Sequence, residues 1–423
     1  MRTPNLERLA SAGMRFSAAY AASPRCTPSR AAFLTGKSPA RLHMTFVNDR
    51  ASDGGPLTTP EALTQLPVSE VTIAALLRRR GYATAQFGKW HVGRLDPRQH
   101  GFDESDGPNG NGGPENVETP NPKQASLLTQ LGIGFMSRQV KAGRPFYLQL
   151  CHYAPRGTAG VRPETLASVR ERMDAQAGGG NANRGMIDIA AMEDMDATIG
   201  SVWAALADLG IVGKTYVIYM PDHGTPGGNG RLAGGKGGVW EGGVRVPLLI
   251  AGPGITPASV SPIRVTGLDL FPTMAELAGI TKLPADIEGA SLVPILKVPG
   301  LASVTRGLPE FVIHFPHYDK DPGGPASAVY QGNFKLIKFY EGGTSRLYDL
   351  ARDPGERSDI AGREPVEVGR LERSLVEYLK RVEAQMPVAT QGGDVRKQPT
   401  QKRNGGRGSK LRSETPSGGE GNR

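Results

Sequence analysis

Lysine, histidine, aspartate and arginine fall in three short clusters, and each cluster follows an apolar run of strand length. Gly88-Lys89-Trp90-His91 follows Ala83–Phe87, His152 to Arg156 follows Phe146–Cys151, and Asp222-His223-Gly224 follows Tyr216–Met220. Open α/β sheets bind ligands outside the carboxyl ends of their strands. A single cluster of this kind says little. Three together place Lys89, His91, His152, Arg156, Asp222 and His223 around one crevice, where the cations suit an anionic substrate and the Asp–His pair suits a metal ion. Upstream, Cys26 stands in Pro24-Arg25-Cys26-Thr27-Pro28-Ser29-Arg30, ahead of a helix of small and apolar residues. A thiol at a helix N-terminus beside two arginines is readily ionised, while the bare alternative is a buried, inert cysteine. Lys236, in Gly234-Gly235-Lys236-Gly237-Gly238, reads either as an aimed amine or as part of a flexible linker. His91 reads by itself as a packed surface histidine and Asp222 as a turn residue.

The elements that must position these residues alternate. Helix patterns at Glu70–Arg80, Gln124–Lys141 and Ile187–Leu209 precede the three strand candidates, and Pro247–Ala251 is a fourth strand whose unbroken apolar run suits burial on both faces. Met192, Met195, Ile199, Val202, Leu206 and Leu209 recur at helical steps and are core rather than a cofactor box. Near the start, Thr3 is a candidate cap and Pro4 a first helical residue, ahead of Leu6, Leu9 and Ala10. This pattern predicts an α/β fold with a mostly parallel central sheet flanked by helices, over residues 1–300. After Gly300, short runs at Phe311–Phe315, Ser327–Tyr330, Phe334–Phe339 and Arg346–Tyr348, then a helix at Val366–Ala384, predict a smaller antiparallel sheet with a covering helix over 301–387. Residues 388–423 lack apolar periodicity and read as a disordered basic tail.

Composition narrows the function classes. The chain has 423 residues, 38% of them hydrophobic, which excludes a wholly disordered polymer. The formal charge of +9 raises the question of a polyanion partner, yet Thr390–Arg423 holds 8 basic and 3 acidic residues and so carries +5 of it. The remaining 389 residues are nearly balanced at +4, and nucleic acid is not expected as a partner. No apolar run is long enough to span a membrane. Two cysteines, Cys26 and Cys151, cannot form a disulfide scaffold.

Taken together the motifs resemble the sulfatase family of the alkaline-phosphatase-like superfamily. Cys26-x-Pro28-Ser29-Arg30 resembles its modification signature, and Thr3–Ala10 its preceding helix. Phe87–Gly93 is similar to the second signature, Glu193–Asp196 to the long helix, Pro221–Gly224 and Gly235–Gly238 to the metal and lysine motifs, and Glu241–Pro247 to the segment that follows. Leu347–Leu350 and Asp353–Glu356 resemble the C-terminal subdomain, so the likeness covers about residues 3–387. It implies that a formylglycine-generating enzyme oxidises Cys26 to an aldehyde, whose hydrate attacks sulfur and then expels sulfate. It also implies that Arg30 and Lys89 hold the diol, that His91 is the base of the second step, and that Lys236 binds sulfate and protonates the leaving alcohol. Asp222 and His223 match ligands of a divalent cation, usually calcium. A sulfated small molecule or glycan is the implied substrate, and periplasmic or extracellular location the implied setting.

Two departures accompany the likeness. Sulfatases carry paired aspartates on a strand upstream of the helix that begins here at Thr3, so the resemblance implies a further central strand preceding Met1. Asp222 and His223 alone offer too few oxygen ligands for firm calcium binding. In addition, Arg156 stands where relatives carry a histidine that helps protonate the leaving oxygen. A guanidinium binds sulfate but is a poor acid, which moves that role to Lys236 or to His152. The rival readings are a phosphate or phosphonate monoester hydrolase of the same superfamily and an inactive relative that binds sulfated glycans.

Overall fold

The computed structural model describes residues 1–48, 55–110, 125–153, 161–174, 183–227, 229–301, 304–307 and 310–390. The elements of the first part are α1 (Pro4–Ala12), β1 (Gly13–Tyr20), α2 (Cys26–Thr35), α3 (Pro39–Leu42), β2 (Leu57–Thr58), α4 (Ile73–Arg79), β3 (Ala83–Gly88), β4 (Glu104–Ser105), α5 (Ala125–Lys141), β5 (Phe146–Cys151), α6 (Pro163–Asp174), α7 (Asn183–Asp208), β6 (Val217–Tyr219), α8 (Glu241–Val244), β7 (Arg245–Ala251), β8 (Ser259–Thr266), α9 (Leu270–Leu277) and α10 (Val293–Lys297). The second part holds β9 (Phe311–Phe315), β10 (Ala326–Gln331), β11 (Phe334–Phe339), β12 (Ser345–Asp349), α11 (Pro365–Arg381) and β13 (Val388–Ala389).

The expected α/β fold is present, with strand directions more mixed than the alternation of elements implied. β3 runs parallel to both β4 and β5, and β1 runs parallel to β8, but β7 runs antiparallel to both β1 and β6. Strand orders are β4-β3-β5 and β6-β7-β1-β8. Leu248 and Ile250 of β7, with Met14 and Phe16 of β1, form the central core against Ile73 and Leu77 of α4 and Phe271 of α9. Pro4 starts α1 as expected, but Thr3 makes no side-chain cap. Asp196 of α7 caps it instead, its two carboxylate oxygens accepting from the Asn5 and Leu6 amides at 3.0 and 2.8 Å. A carboxylate from a distant helix thus satisfies the free N–H groups and complements the helix dipole.

β5 and β6 are apolar, yet every residue of both is only partly buried. Phe146 and Leu148 of β5 and Val217 of β6 pack into one apolar cluster with Met136 and Leu206 of α5 and α7. Tyr147 and Ile218, on the opposite faces, pack into the central core. The two strands therefore lie between the same two layers, and among the described residues no ladder joins them.

The C-terminal sheet has the order β12-β11-β10-β9, antiparallel throughout. Alternation divides its side chains: Ile313, Ala328 and Ile337 face Tyr20 and Val244, while Val312, Val329 and Leu336 face Leu371, Leu375 and Leu379 of α11. Residues Met1–Ala389 form one compact unit, so the two expected domains pack as one body. Val388 and Ala389, expected in the tail, instead pair as β13 with β2, because the backbone there finds an edge partner in Leu57 and Thr58. Residues 391–423 lie outside the described residues.

Candidate active site

Each residue of the Cys26–Arg30 pentapeptide has a defined position at the start of α2. Ser29 accepts from the Ser23 amide and donates to the Ser23 carbonyl, at 3.2 and 2.8 Å, which closes the turn that presents Cys26. Thr27 Oγ1 donates to the carbonyl of His91 at 2.7 Å. One turn further, Arg30 Nε donates to Asp222 Oδ2 at 3.1 Å, and its terminal nitrogen donates to the Lys89 carbonyl at 2.7 Å. Cys26 itself is only 2% exposed, yet its surroundings are polar. Its Sγ lies 3.0 Å from His223 Nε2 and 3.5 Å from Lys236 Nζ. These are not the apolar neighbours of an inert buried cysteine.

The strand-end clusters meet there. β3 ends at Gly88, whose φ of +93° and lack of Cβ let the chain turn against the Cys151 carbonyl, and Lys89 and His91 follow. Lys89 donates its amide to that carbonyl at 2.8 Å. His91 adopts a left-handed φ of +57° while its amide donates to Asn109 O at 3.0 Å. Asp222 and His223 follow β6. Lys236 is held in a bonded loop, not a flexible linker: its amide donates to Thr225 O at 2.8 Å, and the next amide donates to Pro24 O at 3.1 Å. The C-terminal part closes this side, with Asp319 ion-paired to Arg25 and Asp321 accepting from Trp240 Nε1 at 2.6 Å.

Positive charge dominates the electrostatics. Burial, then Arg30, pushes the Lys89 ammonium down to about 8. Burial would raise the Cys26 thiol, but hydrogen bonds from His223 and His91 outweigh it and bring the group to about 3. Asp222, although buried, is held far below the ordinary carboxylate range by His223, Arg30, Lys89 and Lys236. Burial lowers His91 below the usual imidazole value, with Lys89 and Arg30 adding to the effect against the pull of Cys26.

Cys26, Arg30, Lys89, His91, Asp222, His223 and Lys236 are thus brought together. His152 is placed elsewhere: its described polar contact is Thr129 Oγ1 of α5 at 3.3 Å. Successive side chains at a strand end point to opposite faces, and here Cys151 takes the face beside Arg30. Arg156 lies outside the described residues. His314 and His317 are buried and hydrogen-bonded, His314 Nδ1 to Ser327 Oγ at 2.6 Å and His317 Nε2 to Thr45 Oγ1 at 2.8 Å, a structural role. Thr27 and Asp319 were not singled out from the sequence. The adjacency of Thr27 to Cys26 was the available signal. A surface crevice of about 470 Å³ lined by Phe87, Glu104, Leu131 and Arg138 shares no lining residue with the cluster.

Cys26, Asp222 and His223 offer ligand atoms within 4.8 Å of one another. One carboxylate, one imidazole and one thiol do not fit calcium, which takes roughly six to eight oxygen ligands.

Residues 1–280 match the family model described as Sulfatase. This chain belongs to the sulfatase family. Residues 235–385 of the sulfatase match a second model, N-sulphoglucosamine sulphohydrolase, C-terminal. It is 30% identical over 428 residues to arylsulfatase A of Homo sapiens, covering 85% of this chain and 78% of that protein. It is 33% identical over 335 residues to N-acetylgalactosamine-6-sulfatase of Sus scrofa, covering 70% of this chain and 61% of the relative. Among solved structures, Ps i-CgsB aligns with a TM-score of 0.73 at 24% identity, over 89% of this chain and 87% of that one. A phosphonate monoester hydrolase from Silicibacter pomeroyi aligns at 0.66 and 19% identity, over 90% of each chain, and shares the fold. The sulfatase is an alkaline-phosphatase-like sulfuric ester hydrolase, and among the described residues no helix is long and apolar enough to cross a membrane.

Proposed function

We propose that this sulfatase removes sulfate from a sulfated glycan or aryl sulfate through a formylglycine made from Cys26. The observation that carries the reading is the polar surroundings of a buried Sγ at a helix N-terminus, faced by His223 Nε2 and Lys236 Nζ. The same positions suit an oxygen-bearing group at the end of this side chain. As a hydrated aldehyde, formylglycine supplies one oxygen for attack on sulfur and a second hydroxyl for expelling sulfate. Arg30, fixed by Asp222 and by the Lys89 carbonyl, aims a permanent positive charge at the anion. Lys89, lowered to about 8 and still largely cationic near neutral pH, adds a second charge. Lys236 Nζ donates the proton that the departing alcohol oxygen takes up as its bond to sulfur breaks. His91, neutral at that pH because its pKa is lowered, accepts the proton lost when sulfate departs. With Arg156 a poor acid, Lys236 carries the acid role, and a shifted alkaline limb in Arg156→His would show this division of labour.

The sheet supports a further strand. Among the described residues the half-buried strands β5 and β6 share both covering layers without pairing, which favours an additional strand between them carrying the two carboxylates a calcium site would still need. The modifying enzyme is the implied maturation partner, and the family likeness favours work in the periplasm or outside the cell.

The sulfated-glycan reading draws on the N-acetylgalactosamine-6-sulfatase relative and on a structural neighbour solved with D-glucosamine-2-N,6-O-disulfate. The test is an assay of aryl sulfate, aryl phosphate and phosphonate monoester in parallel. It uses chain co-produced with a formylglycine-generating enzyme, with the mass of the Cys26 peptide measured. Conversion with preferential sulfate release supports the proposal. An unconverted cysteine, faster phosphorus-ester turnover, or glycan binding without turnover would overturn it.

A further inference from the structure

The mismatch between calcium and the donors at this centre has a chemical direction. A thiolate sulfur, an imidazole nitrogen and a single carboxylate oxygen suit a borderline-soft ion, and zinc-class sites of three protein ligands leave a fourth position for water. We propose that, while Cys26 is an unmodified cysteine, Cys26, Asp222 and His223 bind a thiophilic divalent cation of the zinc class, and that conversion of the thiol abolishes the site.

The geometry is close to what such an ion requires. The three donor atoms lie within 4.8 Å of one another, with Sγ 3.0 Å and Asp222 Oδ1 3.6 Å from His223 Nε2. Tetrahedral zinc with bonds of ~2.3 Å to sulfur and ~2.0 Å to nitrogen and oxygen sets its ligands ~3.5 Å apart. The carboxylate is therefore at its spacing from Nε2, and Sγ needs to retreat from Nε2 by about half an ångström.

The atoms behind the donors orient them. His223 Nδ1 lies 2.8 Å from its partner, the Gly224 carbonyl, so Nδ1 carries a hydrogen, and Nε2, 3.0 Å from Sγ, becomes the coordinating nitrogen once it releases the hydrogen it shares with Sγ. A backbone carbonyl fixes the tautomer of a metal-ligating histidine in this way. Asp222 Oδ2 is engaged by Arg30 Nε at 3.1 Å, and this holds Oδ1 toward His223. Coordination would form bonds from Sγ, Nε2 and Oδ1 to the ion and release to solvent the proton shared between Sγ and Nε2, with no change of oxidation state. The ion would compete with the Lys236 ammonium, 3.5 Å from Sγ.

The test uses the full chain produced without a modifying enzyme, its Cys26 peptide confirmed as cysteine by mass, with cobalt(II) as the probe. One equivalent should give a thiolate-to-cobalt charge-transfer band that zinc removes. The band should vanish in Cys26→Ser and in His223→Ala, persist in Cys151→Ser, and be absent from converted chain. No band, a band retained in Cys26→Ser, or a band lost only in Cys151→Ser would overturn the proposal. A second measurement avoids dependence on variants. In the wild-type chain, zinc should slow alkylation of Cys26 by at least tenfold relative to Cys151, and calcium should not; equal rates with and without zinc would also overturn it. Both readouts are taken on unconverted chain, so they stand or fall independently of sulfate-ester turnover.

Discussion

Two buried groups of charge lie at opposite ends of the Lys236 loop, and they are satisfied differently. At the junction with the C-terminal sheet, Lys335 Nζ sits 2.6 Å from Glu356 and 3.2 Å from Glu241, with both Lys335 and Glu241 fully buried. Glu241 also accepts from the Tyr20 and Tyr330 hydroxyls at 2.8 and 3.1 Å, and its amide donates to Glu356 at 2.7 Å. Here every charge has an internal partner. At the Cys26 end, Arg30, Lys89 and Lys236 converge where Asp222 is the described carboxylate. The junction pairs its charges internally and anchors the C-terminal end of the loop at Glu241. Among the described residues the site sets Arg30, Lys89 and Lys236 against the Asp222 carboxylate and the Cys26 thiol, an arrangement suited to the sulfate of the proposed reaction.

Removing the reacting side chain gives the largest expected effect. In converted enzyme Cys26→Ala should lower kcat by roughly 10⁴-fold or more, with the thermal midpoint near that of the parent. Retained turnover would place the chemistry elsewhere. The junction should respond in the opposite sense, through stability. Lys335→Met strands two buried carboxylates and should cost roughly 3–5 kcal/mol, read by urea denaturation. Neutralising Glu241 and Glu356 to glutamine in the same chain should restore part of the loss. An unchanged midpoint in Lys335→Met would mean that the network does not anchor the loop.

The contrast also shows which features were readable from sequence. β3 and β5 declared themselves as apolar runs ending in polar clusters, and the C-terminal sheet as alternating runs such as Phe311–Phe315. Lys89, His91, Asp222 and Lys236 were found because each sits in a local motif. β1 was missed because Gly13, Ser17, Ala18 and Ala19 dilute its apolar pattern directly after a helix, and β8 because Pro262 interrupts it. The Arg25–Asp319 and Glu241–Lys335 pairs join residues far apart in the chain, and no local periodicity encodes such a contact. The metal ligands were half legible: Asp222 and His223 came from their motif, but the approach of Cys26 Sγ required the fold.

The role of the site's cations can be sharpened by titration. Lys89 is lowered to about 8, so its charge is lost as pH rises through that value, and activity should fall on an alkaline limb at or below pH 8. Conversion of Cys26 removes a thiolate that holds this value up, which moves the limb lower still. Lys89→Arg should carry the limb upward, since a guanidinium stays charged. On the acid side His91 must be neutral to accept a proton, so activity should fall as pH drops through its lowered value. An alkaline limb indifferent to Lys89→Arg would belong to another cation.

A smaller effect concerns the buried histidines of the C-terminal part. Burial lowers His314 to about 4 and His317 to about 3, the latter also by the charge of its neighbour, so both are neutral in the folded chain at pH values where unfolded histidine is protonated. The unfolded state then binds more protons below its ordinary histidine value of about 6.5, so stability is full above that pH and declines as pH falls toward the folded values. The groups facing them set the size of the decline. His314 meets Ser327 and the Gln385 carbonyl, and His317 meets Thr45, none of which is a carboxylate that would stabilise an imidazolium. Thermal midpoints measured between pH 7 and 4 should fall less steeply in His317→Gln than in the parent, because a neutral amide can keep the Thr45 hydrogen bond without a proton to take up. Parallel slopes would show that other groups govern the acid response.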